Sequence, residues 1–182
     1  MNVLEIVETI VKSYPEATLV SSLGTSTSAV RNVTEDGPHF YFGAAMGSAM
    51  AGALGLAEAD ASRKVIAVIG DGECLMGMNS LWSISAYAPE NLIVVVVSDG
   101  KYYITGEQKL PAKLNIEGVA NSLDNLTGTT VTNPEELRDA LENLARPLVV
   151  EAKVSKKSFT GKSPFIDPAA VVSGVRARYH AS

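Results

Sequence analysis

Two short acidic turns carry the residues of this chain most suited to chemistry. They read Gly70-Asp71-Gly72-Glu73 and Ser98-Asp99-Gly100-Lys101. Each turn follows an apolar run typical of a buried strand, residues 65–69 in one case and 92–97 in the other. Ligands of open parallel sheets bind beyond the carboxyl ends of the strands, so both aspartates are expected at one edge. Two carboxylates placed in this way can bind a divalent cation.

The glycines of the first turn indicate a second ligand group. Gly70 and Gly72 allow a sharp bend and let the backbone approach an anion closely. A following helix would direct unpaired N–H groups and its positive dipole end toward phosphate oxygens. Magnesium is commonly held by carboxylates together with phosphates, so the pattern predicts a metal and diphosphate site. Ordinary turns, or an unrelated nucleotide-binding site using Asp71, are alternatives, although no P-loop sequence is present.

Apolar and polar runs alternate along the chain in a way that predicts strands and helices in turn. The strand-like runs are continuous, which favours an α/β fold with a mostly parallel central sheet and helices on both faces. The length fits a single diphosphate-binding domain over residues 1–182, with a last helix at about 167–178 that could pack on a partner. The predicted helices are 3–12, 25–32, 47–59, 76–87, 116–123, 134–144 and 167–178; the predicted strands are 18–22, 40–42, 64–69, 91–97, 129–131 and 147–153; residues 98–113 are predicted as an irregular loop.

The composition bounds the partners and the kind of metal site. Charged residues make up 19% and hydrophobic residues 46%, which favours a surface partly covered by another subunit. The net charge of -5 and the lack of a basic cluster argue against nucleic acid as a partner. The single cysteine, Cys74, excludes a disulfide framework or a multi-thiolate cluster built by this chain alone. We expect Cys74 to be a small buried hydrophobe.

One apolar stretch is long enough to be mistaken for a membrane span. Residues 37–57 contain no acidic or basic side chain apart from His39. The stretch is rich in Gly, Ala and Ser, which favours a short strand and a closely packed buried helix. Residues 1–12 have the pattern of an amphipathic helix rather than a signal peptide. We therefore expect a cytoplasmic protein that does not enter a membrane.

The motifs together resemble the diphosphate-binding domain of thiamine diphosphate-dependent enzymes. In that family a Gly-Asp-Gly triplet is followed, after a helix and a strand, by Asn or Asn-Asn. The likeness continues in residues 16–26, in Gly43-Ala44-Ala45-Met46-Gly47 and in residues 102–108. The short chain and the sequence Thr105-Gly106-Glu107-Gln108 are most similar to the sulfopyruvate and phosphonopyruvate decarboxylases within the family.

The resemblance implies a role for individual positions. Mg²⁺ would be bound by Asp71, Asp99 and the carbonyl of Lys101. Asp99 stands where the family has Asn and adds a negative charge; the alternative is that the alignment of this loop with the family is shifted by one residue. His39 is a candidate acid, base or substrate anchor, with a purely structural histidine as the alternative. The residues that would hold thiamine diphosphate are Gly24, Thr25, Ala44, Met46, Gly70, Gly72, Glu73 and Ile104. The Ala44 carbonyl would meet the exocyclic amine, Met46 would bend the cofactor, and Ile104 would lie near the thiazolium. The diphosphate would be contacted, largely through backbone, by Gly24, Thr25, Gly72 and Glu73.

The resemblance also implies a partner chain. In these enzymes the glutamate that protonates the aminopyrimidine lies in a different domain, for which this chain has no space. We expect a pyrimidine-binding α subunit of similar size, in a hetero-oligomer with a dimeric core. The implied function is that of the β subunit of a 2-oxoacid decarboxylase for a sulfopyruvate- or phosphonopyruvate-like substrate. A carboligase subunit acting on another 2-oxoacid and a non-catalytic cofactor-binding subunit are the alternatives.

Overall fold

The fold is built around a central sheet of six parallel strands. The computed structural model describes residues 1–34, 37–156, 161 and 165–179. The strand order is β2-β1-β3-β4-β8-β7, and every neighbouring pair is parallel. The elements are α1 (Val3–Ser13), β1 (Thr18–Ser21), α2 (Gly24–Val33), β2 (Phe40–Tyr41), α3 (Ala49–Ala59), β3 (Val65–Gly70), α4 (Asp71–Met76), α5 (Ser80–Tyr87), β4 (Leu92–Ser98), β5 (Lys101–Tyr102), β6 (Gln108–Lys109), α6 (Ile116–Asn121), β7 (Thr127–Val131), α7 (Pro134–Asn143), β8 (Leu148–Lys153) and α8 (Pro168–Tyr179).

Helices cover both faces of the sheet, which confirms the predicted fold class. Successive strand side chains point to opposite faces, so Ile66 and Val68 join one core cluster while Ala67 and Ile69 join the other. The first cluster is closed by α1, α2 and α7, and the second by α3, α5 and α6. Burial on both faces explains why the central strands are continuous apolar runs.

The predicted helix at 76–87 is wrong at its start. A first helix, α4, begins at Asp71 directly after β3, and α5 begins only at Ser80. The break lies at Gly77, where an added Cβ would lie 2.3 Å from the carbonyl oxygen of Gly47. The acidic turn is therefore itself the first turn of a helix, so Asp71 and Gly72 lie where helical N–H groups are unpaired.

The connection after β4 is more ordered than predicted. Residues 98–113 contain a small antiparallel hairpin in which β5 pairs with β6. Thr105 and Gln108 close its turn through a hydrogen bond of 2.8 Å between Thr105 Oγ1 and Gln108 Oε1. The hairpin places Tyr102, Tyr103 and Ile104 beside the start of α4, where they line a common cavity.

The last helix packs on its own chain. It contacts β2, the edge strand of the sheet, and Arg178 forms an ion pair of 3.1 Å with Glu16. The guanidinium of Arg63 lies 5.4 Å from the centre of the Tyr179 ring. Covering an edge strand hides its unpaired backbone groups. The expectation that this helix also packs on a partner stays a prediction. Across the described residues, no helix has the length and apolar character needed to cross a membrane.

Leu137 tests the packing of α7 far from the acidic turns. Its side chain is fully buried between α7 and the sheet. We expect Leu137→Ala to lower the free energy of unfolding by about 2–5 kcal/mol, because it removes apolar contacts and leaves a cavity. The neighbouring exposed Arg138→Ala should change it by about 0.5 kcal/mol or less. Urea unfolding followed by circular dichroism measures both, and equal effects would contradict this packing.

Candidate functional site

A cavity of about 80 Å³ lies beyond the carboxyl ends of β1, β3 and β4. Its walls come from the start of α2, the start of α4, the loop before α3 and the β5–β6 hairpin. The structure therefore brings together most of the predicted site residues from four separate parts of the chain. Those that line the cavity are Gly24, Thr25, Met46, Gly70, Asp71, Gly72, Glu73, Asp99, Lys101 and Ile104.

Asp71 joins the two acidic turns to one another. Its Oδ1 accepts the Gly72 N–H at 2.7 Å, and its Oδ2 accepts the Gly100 N–H at 2.6 Å. The residue is only 2% exposed, and this burial raises the pKa of its carboxyl, with a further increase from the negative charge of Asp99. The two N–H groups act in the opposite direction. A cation at this position would relieve both the burial of charge and the repulsion.

Asp99 and Lys101 lie on the open side of the same cavity. Asp99 Oδ1 accepts the Lys101 N–H at 3.0 Å, and the Lys101 ammonium forms an ion pair of 3.0 Å with Glu107. Partial burial raises the pKa of the Asp99 carboxyl, which the Lys101 N–H and ammonium oppose. The described residues hold no group of three His, Cys, Asp or Glu side chains suited to a metal ion. A cation here would therefore need backbone or ligand oxygens as well.

Two glycines shape the part of the cavity that could take a diphosphate. Gly24 begins α2 with a φ of 71°, and a Cβ there would meet no atom within 4 Å, so it borders open space. Gly72 lies beneath the Tyr102 ring, whose carbon atoms would be 2.6 Å from an added Cβ. Both glycines lie at helix starts, where backbone N–H groups are suited to an anion, although the Gly72 N–H itself donates to Asp71 Oδ1. These residues fit the group predicted from the sequence.

The loop at residues 43–48, here called the Met46 loop, has an unusual backbone. Gly43, Ala44 and Gly47 have φ values of 58°, 79° and 90°. A positive φ is uncommon for alanine and costs free energy, so neighbouring contacts must hold the loop in place. One of them is the Ala44 N–H, which donates to the Ser22 carbonyl at 3.1 Å. Met46 lines the cavity, whereas Ala44 is exposed just outside it.

The side chain of Glu73 is buried, whereas the role expected for this residue lay largely in its backbone. Its carboxyl is 4% exposed, and burial raises its pKa, whereas the Ser22 hydroxyl and the N–H groups of Ala49 and Gly47 lower it. None of these groups makes a close hydrogen bond with Glu73 Oε1: among the described residues, neither this oxygen nor Ser22 Oγ has a hydrogen-bond partner. A role for Glu73 largely through its backbone therefore leaves this buried carboxylate unexplained.

His39 does not lie in the cavity, contrary to the expectation of a catalytic role. It is 6% exposed; its Nδ1 accepts the Leu19 N–H at 3.1 Å, and its Nε2 lies 3.0 Å from Thr34 Oγ1. Burial lowers the pKa of its imidazole to about 4, with a smaller contribution from the positive charge of Arg178, while a hydrogen bond to Thr34 raises it. Both ring nitrogens are engaged in holding β1 to the end of α2, which is the structural alternative.

Two further features lie behind the acidic turns. Cys74 is fully buried, and burial raises the pKa of its thiol to about 12, so it carries no thiolate at neutral pH. Glu151, at the end of β8, is 3% exposed, pairs with Lys153, and accepts a hydrogen bond of 3.0 Å from Ser98 Oγ. The sequence did not predict this cluster of Ser98, Glu151 and Lys153, which holds the residue before Asp99 in place. The signal was a pair of charges at the end of an otherwise apolar strand.

Comparison with known families agrees with this geometry. Residues 23–152 match the family model described as thiamine pyrophosphate enzyme, C-terminal TPP binding domain. The match spans the Gly24 turn, the Met46 loop and both acidic turns. The chain therefore belongs to the family of thiamine diphosphate-binding domains, as the resemblance implied.

Curated relatives narrow the similarity within the family. The chain is 33% identical over 144 residues to the sulfopyruvate decarboxylase subunit beta of Methanocaldococcus jannaschii, covering 76% of each chain. It is 32% identical over 167 residues to the phosphonopyruvate decarboxylase of Streptomyces viridochromogenes, covering 89% of this chain and 42% of that protein. The chain thus spans less than half the length of the phosphonopyruvate decarboxylases that it matches.

A solved structure supports the fold independently. The thiamine diphosphate-dependent 4-hydroxybenzoylformate decarboxylase of Rhodococcus jostii RHA1 superimposes with a TM-score of 0.67 at 20% sequence identity. The superposition covers 88% of this chain and 33% of that one. At this identity the likeness concerns the fold alone.

The depressed pKa of His39 predicts how stability depends on pH. Between pH 6.5 and about 4 the unfolded chain binds a proton at His39 that the folded chain does not. The free energy of unfolding should therefore fall as pH falls through this range, by up to about 3 kcal/mol from this residue. His39→Asn keeps an acceptor for the Leu19 N–H and cannot titrate. Thermal unfolding at several pH values should show a flatter dependence in this variant; identical curves would contradict the assignment.

Proposed function

We propose that this chain is the diphosphate-binding β subunit of a two-subunit, thiamine diphosphate-dependent 2-oxoacid decarboxylase. The observation that carries the proposal is the union of Asp71, Asp99 and the glycine turns with the Met46 loop around one cavity. The relatives named as sulfopyruvate decarboxylase subunit beta and phosphonopyruvate decarboxylase support the reaction class. A substrate of the sulfopyruvate or phosphonopyruvate type and a cytoplasmic location are part of the same proposal.

Each end of the cavity would take one part of the cofactor. Asp71, Asp99 and the Lys101 carbonyl would hold Mg²⁺, and the negative charges of both carboxylates favour this. The backbone at Gly24, Thr25, Gly70, Gly72 and Glu73 would hold the diphosphate at two helix starts. Ala44 and Met46 of the Met46 loop would contact the aminopyrimidine end of the cofactor, and Ile104 of the hairpin would lie near the thiazolium.

The chemistry divides between the cofactor and this chain. When bound, thiamine diphosphate supplies the carbanion and the electron sink that decarboxylation of a 2-oxoacid requires. The chain would bind and orient it: Met46 would hold the cofactor in its bent shape, and the Ala44 carbonyl would accept a hydrogen bond from its amine. Tyr102, Tyr103 and Ile104 would limit the access of water to the reacting carbon, because they form the apolar side of the cavity.

A partner chain would complete the site. We propose a pyrimidine-binding α subunit of similar size that supplies the catalytic glutamate, in a hetero-oligomer with a dimeric core. The surface formed by α4 and α5 supports this: Met76, Trp82 and Tyr87 are 60%, 56% and 65% exposed. Residues 74–89 contain no charged side chain. An uncharged, apolar surface beside the Met46 loop is suited to burial by another chain.

Purification of the native complex tests the proposed activity. We expect mass spectrometry of the complex to find a second chain of similar size together with thiamine diphosphate and Mg²⁺. The same complex should release carbon dioxide from sulfopyruvate or phosphonopyruvate. Acyloin formation without net decarboxylation would favour a carboligase subunit. Bound cofactor without turnover of any 2-oxoacid would favour a non-catalytic subunit, and tighter binding of ATP or GTP would favour a nucleotide site.

Substitution of the two aspartates tests the proposed metal site. Asp71→Ala should weaken magnesium-dependent thiamine diphosphate binding by about 100-fold or more, or about 3 kcal/mol, because it removes a buried charge that faces the cation. Asp99→Asn keeps an oxygen ligand and restores the family's residue, so it serves as the matched control and should bind within about tenfold of wild type. Isothermal titration calorimetry measures both. Wild-type affinity in Asp71→Ala would refute the site, and complete loss of metal binding in Asp99→Asn would refute the register.

A further inference from the structure

The Met46 loop is strained at Ala44, and the end of α4 packs against the loop. Gly43, Ala44 and Gly47 all have positive φ values. The backbones of Gly47 and Gly77 are in contact, since a Cβ on Gly77 would lie 2.3 Å from the Gly47 carbonyl oxygen. A Cβ on Gly47 would in turn lie 3.2 Å from the Gly77 nitrogen. The end of α4 therefore fixes one side of the loop.

The start of the same helix approaches the loop with a buried carboxylate. Glu73 faces the Ser22 hydroxyl and the N–H groups of Gly47 and Ala49, which lie where the loop enters α3. Its Oε1 and Ser22 Oγ have no hydrogen-bond partner in the part of the chain that the structure describes. A buried carboxylate oxygen without a partner is costly, so a rearrangement that supplies one would be favourable.

Glu73 also borders the position proposed for the diphosphate. It follows Gly72, and both residues line the cavity. An added Cβ on Gly72 would lie 3.4 Å from Met46 Cε, so the glycine turn and the loop are in direct contact. An anion bound at this turn would repel the Glu73 carboxylate. The Gly47 and Ala49 N–H groups, at the positive end of α3, are the available place for that charge.

We propose that Glu73 is a positioning residue that couples occupation of the diphosphate end of the cavity to the conformation of the Met46 loop. Binding of the anion moves the carboxylate toward α3, where it accepts hydrogen bonds from the Gly47 and Ala49 N–H groups. The loop then holds Ala44 and Met46 in one arrangement. This inference rests on the proposed function, because it assumes that the glycine turn binds a diphosphate.

Amide hydrogen exchange of the full chain tests the coupling. The probe is inorganic diphosphate with Mg²⁺, which occupies only the diphosphate end. In the wild-type chain we expect the probe to slow exchange at the Gly47 and Ala49 amides by about tenfold, as expected for newly formed hydrogen bonds. Glu73→Gln removes the charge with little change of shape and should lose most of this slowing. Its affinity for the probe, measured by calorimetry, should rise, because the charge that repels the anion is gone; weaker binding therefore cannot account for the lost slowing.

Two further variants make the result decisive. Glu73→Asp keeps the charge but shortens the side chain, so it should also lose the slowing, and it replaces Glu73→Gln if that variant does not fold. Glu58→Gln, on the exposed side of α3, should behave as wild type. Full slowing in either folded Glu73 variant would overturn the inference. If the wild-type chain fails to bind Mg²⁺ and diphosphate, the proposed function fails instead, which separates the two conclusions.

Discussion

The hydrogen bonds of the Asp71 carboxylate are the interaction on which the rest of the site depends. They join the turn after β3 to the turn after β4 through the Gly72 and Gly100 N–H groups. The two turns emerge side by side because Gly70 and Val97 are partners in neighbouring parallel strands. Asp71 thus uses a buried charge to set the spacing of two loops, and the same charge would favour a cation in the cavity.

The two sides of the cavity differ in charge. The parallel sheet supplies the carboxylates and helix starts that suit a metal and a diphosphate. The Met46 loop borders the other side, next to the uncharged surface of α4 and α5. Charge is therefore concentrated where a phosphate and a cation would bind, and is absent where another chain would cover the surface. This separation is consistent with a domain that works between two chains.

Strand runs and glycine turns were predicted well because both follow from local sequence. The central strands are buried on both faces and are therefore continuous apolar runs. The acidic turns come directly after these runs in the sequence, which placed them at the carboxyl ends of the strands. Features set by contacts between distant segments were not predicted. The break at Gly77 depends on the Gly47 carbonyl, and the burial of Glu73 depends on the Met46 loop. These contacts join separate segments of the chain and leave no periodic pattern in the sequence from which they could be predicted.

The strand order has a consequence for how the chain folds. β4, whose first six residues are Leu92-Ile93-Val94-Val95-Val96-Val97, lies between β3 and β8. β8 is the last strand along the described residues, so during synthesis β4 remains the edge of the growing sheet until residues 148–153 have left the ribosome. Such an apolar, β-branched segment pairs readily with other chains. Completion of the chain, more than its early collapse, therefore protects it from aggregation, and a truncation before β8 removes that protection.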